Sequence, residues 1–128
     1  MNPTYTLLPS HRLICLHYRG STTFERWAAT MESALADCGS DAGLDVLIDR
    51  RGITQVPSTT TIHRSVDFFD RHADRLRRVA SVVDDDAVYG MCRMLEVFSE
   101  RTRVQFRVFR QYGDARSWLG LPPDEAVA

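Results

Sequence analysis

The sequence contains no lysine, so all 16 basic residues are arginines, and 17 acidic residues leave a formal net charge of -1. That balance excludes the uniform basic field that steers a domain to nucleic acid or to an anionic membrane. No apolar run approaches the roughly 20 residues needed to cross a bilayer, and the opening MNPTYTLLPS lacks the charged-then-apolar pattern of a signal peptide. The cysteines Cys15, Cys38 and Cys92 are odd in number and widely scattered, which suits reduced thiols in a cytoplasm better than a disulfide framework. No CxxC or HExxH pairing points to a metal, no GxSxG to a serine nucleophile, and no GxGxxG or Walker loop to a nucleotide. No catalytic residue, metal or cofactor is therefore assigned.

What is present is ordinary globular material: 128 residues, 44% hydrophobic and 26% charged, enough for one core. Residues 1–120 read as a single α/β domain and 121–128, LPPDEAVA, as a C-terminal tail. Tyr5 to Leu8 and Arg12 to Tyr18 are β-rich segments whose short connection requires an antiparallel hairpin. Thr22 with Glu25 fits a capping box, and Phe24, Trp27, Ala28, Met31, Leu35 and Cys38 recur at helical spacing until Gly39. Leu44 to Asp49 (LDVLID) has the continuous apolar character of a buried parallel strand.

Ser58 then caps a second helix with Ile62, Val66, Phe69 and Ala73 on its buried stripe. A strand over Arg78 to Val83 follows, then a helix from the Asp84-Asp85-Asp86 run to about Glu100. Val104 to Arg110 alternates as an edge strand should, and Asp114 to Leu119 forms a short terminal helix. The order β-β-α-β-α-β-α-β-α gives a mostly parallel five-stranded sheet, its first strand antiparallel, with helices covering it.

The third helix is apolar over a wide arc, with Val88, Met91, Cys92, Met94, Leu95 and Phe98 on it, Tyr89 at one margin and Val97 opposite. Either the helix is deeply buried between neighbours, or its excess apolar surface is left for a partner. Tyr89, Met94 and Val97 are the candidate surface for a protein partner or a second copy of the chain in a homodimer. The arginines around the fourth and fifth strands alternate with Asp70, Asp74 and Glu100, a pattern of local ion pairing and not of a nucleic-acid surface.

This element order, the passage VLIDRRGITQVPSTTTI and the later stretch VYGMCRMLEVFSERTRVQFRVFRQYGDARSWL together resemble the SpoIIAA-like or STAS superfamily, in particular uncharacterised bacterial STAS-like proteins. The resemblance spans nearly the whole chain and implies a SpoIIAA-like fold and a regulatory or protein-interaction module with a protein partner. In phosphoswitch members an Asp-Ser-Ser-Gly type motif ends the passage from strand to helix, and its second hydroxyl residue is phosphorylated. By position that motif falls on Pro57-Ser58-Thr59-Thr60, where Pro57 replaces the acid and Thr60 the glycine. Ser58 and Thr59 are accordingly the candidate phosphosite, beside the alternative that they simply cap the helix.

Arg50 and Arg51 stand just past the third strand, at the end where open α/β sheets bind ligands. With Ser58 and Thr60 at the helix terminus they form a candidate anion-binding set. The function expected first is a phospho-regulated interaction module; the alternative is a sensor or carrier of a small anionic or apolar metabolite.

Overall fold

Interior strands buried on both faces, an alternating edge strand and 3.6-residue helical stripes are realised in the computed structural model, which describes residues 3–122. The elements are β1 (Thr4–Leu8), β2 (Leu13–His17), α1 (Phe24–Asp37), β3 (Leu44–Asp49), α2 (Thr59–Arg71), β4 (Leu76–Val82), α3 (Asp86–Ser99), β5 (Gln105–Phe109) and α4 (Tyr112–Trp118). β1 pairs antiparallel with β2, Leu8 opposite Leu13, across a 3-10 turn over Pro9–His11.

The sheet order is β1-β2-β3-β4-β5, with β2 to β5 parallel throughout. Each crossover therefore steps in the same direction. Because such crossovers are right-handed, α1, α2 and α3 all fall on one face of the sheet. There Ile14, Leu16, Val46, Ile48 and Val79 meet Met31, Phe68, Phe69 and Leu95 in the principal core. On the other face Leu13, Cys15, Leu47, Ala80 and Val82 meet Ala115 and Leu119 of α4 and its end. β5 lies at the sheet edge, as its alternation requires.

One buried acid ties this second layer together. Asp45, 3% exposed, accepts from Arg77 Nε and Nη2 at 3.1 and 2.7 Å and from Arg78 Nη2 at 3.2 Å. The Arg78 guanidinium also donates to the carbonyls of Trp118 and Leu119, at 2.7 and 3.2 Å, and so closes the carbonyl end of α4 onto the sheet.

Some local expectations are corrected. The cap of α1 is Thr23, whose hydroxyl accepts from Arg26 N–H at 3.1 Å, and not Thr22. Glu25 consequently closes no capping box and instead holds Arg64 across the helices. The terminal helix begins at Tyr112, two residues before the position expected. Of the segment assigned as a tail, Leu121 is buried in the smaller core cluster, and 123–128 lie outside the described residues. No helix among the described residues is long and apolar enough to cross a membrane.

Candidate functional site

Two loops leave the carboxyl ends of β2 and β3 side by side and are stapled to each other. Gly20 N–H donates to the Gly52 carbonyl at 3.0 Å, and Thr54 N–H to the Gly20 carbonyl at 2.8 Å. Both glycines take positive φ, 71° and 84°, where a side chain would be strained. The staple holds the loops apart from the starts of α1 and α2, leaving a cavity of about 280 Å³. That volume is near the lower end of the roughly 300–1,000 Å³ typical of small-molecule sites.

The wall is part aromatic and aliphatic, with Tyr18, Phe24, Trp27, Ile53 and Val88, and part polar, with Thr22, Arg50, Ser58, Thr61 and Ser65. The polar side is not fully satisfied. Trp27 is 4% exposed, and neither its Nε1 nor the buried Oγ1 of Thr22 has a hydrogen-bond partner among the described residues. An unpaired buried donor of this kind costs about 1–3 kcal/mol. Trp27 is fixed in place by edge-on contacts with Phe68 and Phe69, at centroid separations of 5.1 and 5.8 Å.

Arg50 enters the same wall from the end of β3. It is 9% exposed, and its Nε and Nη1 donate to Ser81 Oγ at 3.1 Å and to the Tyr18 hydroxyl at 2.8 Å. Burial pushes the Cys92 thiol up from its ordinary value, against the opposing pull of the Arg50 charge. Arg64 and Glu25, paired at 2.6 Å, sit at the rim, with the Arg64 guanidinium 4.2 Å above the Phe24 ring.

Of the residues singled out in the sequence, Arg50 and Ser58 are brought to this cavity, whereas Arg51 and Thr60 are not among its lining. Arg51 turns to the other side of the sheet. There its Nε and Nη2 clamp Asp49 at 2.9 and 2.8 Å, and it stacks over Tyr112 at 4.8 Å. Burial pushes the Asp49 carboxyl up, but the side-chain and backbone hydrogen bonds from Arg51 outweigh it and hold the group below its ordinary value.

Ser58 is the N-cap of α2: its Oγ accepts from Thr61 N–H at 3.1 Å and donates to Thr61 Oγ1 at 3.1 Å. Thr59 is exposed on the first turn. On α3, Tyr89 and Met94 are half-buried against the core while Val97 is 57% exposed. Arg110 stacks over the Tyr89 ring at 4.4 Å.

Sequence reasoning missed Tyr18, Thr22, Trp27 and Ser65 as wall residues. Trp27 had registered only as part of an apolar helical stripe, and a stripe does not reveal that an indole N–H lacks a partner.

A mixed sheet with one antiparallel edge strand, three crossover helices on one face and a cavity at the carboxyl strand ends defines a STAS-type α/β domain. The comparisons agree: the SpoIIAA-like family model matches residues 13–120, and the chain belongs to that family. Among solved structures, it is similar to an uncharacterised protein of the DUF3478 family with a SpoIIAA-like fold from Shewanella loihica PV-4. That likeness has a TM-score of 0.67 at 17% identity and covers 92% of this chain and 94% of the other. No curated protein matches.

Proposed function

We propose that the protein is a small-molecule-binding module, a sensor or carrier that takes a compact anionic or apolar ligand into the cavity between α1 and α2. The observation that carries this reading is the cavity itself, about 280 Å³, with the buried Arg50 and the aromatic Trp27 on its wall. Apolar lining with a few convergent polar groups is the usual make-up of a small-molecule site. The position at the carboxyl ends of parallel strands supports it.

The test is thermal-shift screening of small organic acids and neutral apolar molecules against the wild type and a Thr61→Phe variant, whose ring would fill the cavity. At least one class should raise the wild-type Tm and leave that of Thr61→Phe unmoved, because a ligand that binds the folded state stabilises it. A panel that moves neither protein contradicts the proposal.

A second reading, the phospho-regulated interaction module, is supported by Thr59, exposed on the first turn of α2. A phosphate there would meet the positive end of the helix. A Thr59→Glu variant that gains or loses a stoichiometric partner would support it; an unchanged set of co-purifying proteins would contradict it.

A further inference from the structure

Arg50 differs from its neighbours in what it holds. Arg51, Arg64, Arg77 and Arg78 all hold carboxylates at 2.6–3.2 Å. Arg50 donates only to two neutral hydroxyls, those of Ser81 and Tyr18, and forms no ion pair with a carboxylate among the described residues although it is 9% exposed. A buried cation is expected to be paired, and two neutral hydroxyls with the Tyr18 ring at 5.9 Å supply no counter-charge for the hydration it gives up. The other charges on the cavity wall cancel, since Arg64 and Glu25 neutralise each other at 2.6 Å. The wall therefore carries one uncompensated positive charge beside an apolar lining of Phe24, Trp27, Ile53 and Val88.

From this arrangement we infer that the ligand is a compact monocarboxylate with an apolar body, its carboxylate ion-paired with Arg50 and its body against Phe24 and Trp27. The inference rests on the ligand-binding reading above and narrows it. A planar guanidinium matches a carboxylate in shape as well as charge. A phosphomonoester would bring a second charge for which the wall offers no second free cation, Arg64 being engaged by Glu25. A cavity of about 280 Å³ suits a ring or a short chain.

Calorimetric titration tests it with matched pairs that differ in charge alone: benzoate and benzamide, indole-3-carboxylate and its amide, octanoate and octanamide, with inorganic phosphate beside them. At least one acid should bind the wild type at least tenfold more tightly than its amide. Arg50→Met should erase that preference and Arg50→Lys should keep part of it.

If Arg50→Met fails to fold, the acid-to-amide ratio in the wild type and in Arg50→Lys decides the matter. Amides that bind as tightly as acids, or an acid preference that survives Arg50→Met, would overturn the assignment of charge and leave ligand binding itself intact. Phosphate binding more tightly than every acid would overturn the ligand class. Binding by none of these compounds also overturns the inference, while the broader reading stands or falls by the Thr61→Phe comparison.

Discussion

Arg50 Nη1 and the Tyr18 hydroxyl are joined by a hydrogen bond of 2.8 Å that spans the ends of two neighbouring strands. Tyr18 is 8% exposed, so the bond lies inside the wall and sets the direction in which the guanidinium presents its remaining N–H groups. Tyr18→Phe removes the acceptor while keeping the ring. The expected cost in urea unfolding is about 1 kcal/mol, accompanied by several-fold weaker binding of any carboxylate the wild type accepts. An affinity unchanged by Tyr18→Phe would show that this bond does not position Arg50 for a ligand.

The three hydroxyl residues near the helix starts separate cleanly. Ser58 and Thr23 are the caps of α2 and α1, so Ser58→Ala and Thr23→Ala should each lose about 0.5–2 kcal/mol. Thr59 is exposed, and Thr59→Ala should stay within about 0.5 kcal/mol of the wild type. Denaturant midpoints measure all three. A loss at Thr59 equal to that at Ser58 would contradict the cap assignment.

Asp45 is the buried anion on which Arg77 and Arg78 converge. Arg77 is 56% exposed and can return to water while Arg78, 22% exposed, keeps its carbonyl acceptors, so Asp45→Ala should destabilise by about 1–2 kcal/mol. Because Arg78 also holds the end of α4 through the Trp118 carbonyl, the loss should be accompanied by faster amide exchange in α4. Protection in α4 that matched the wild type would show that the helix is held by apolar packing alone.

Acid should weaken the fold partly through His72. Burial, reinforced by Arg71, lowers its pKa against the opposing pull of Glu32 and Asp74. The folded state therefore resists the proton that the unfolded chain takes up near its ordinary value of about 6.5. Stability falls as pH drops through that value toward the lower folded one, because the unfolded state then binds more protons. His72→Gln should flatten the fall between about pH 7 and pH 5; a slope equal to that of the wild type would assign it to other groups.

Much of the fold was legible because its signals are local. Apolar residues on both faces of Leu13–His17 and the continuous apolar run Leu44–Asp49 marked interior strands, Gly39 marked a helix end and Ser58 a helix start. Thr22 and Thr23 are equally good caps by residue type, and only the packing of α1 chooses Thr23. The site was half legible. Arg50 and Arg51 stood out together at a strand end, but strand alternation stops there, and the turn through Gly52 is what separates them. One enters the core of the helical face; the other pairs with Asp49 on the opposite face. Trp27 was legible as core and not as wall, since burial and hydrogen-bond satisfaction are separate properties and only the first leaves a periodic trace.

The indole N–H of Trp27 is also the most direct reporter on the cavity. The chain has two tryptophans, Trp118 lies on the other side of the sheet with α4, and Trp118→Phe assigns the pair of indole signals in a ¹⁵N-labelled sample. Titration with the ligand that gives the largest thermal shift should move the Trp27 indole resonance in a saturable way, since Trp27 lines the cavity, and leave that of Trp118 in place. A Trp27 signal that stays fixed while the melting temperature rises would mean that the ligand binds elsewhere, and that the cavity between α1 and α2 is not the functional site.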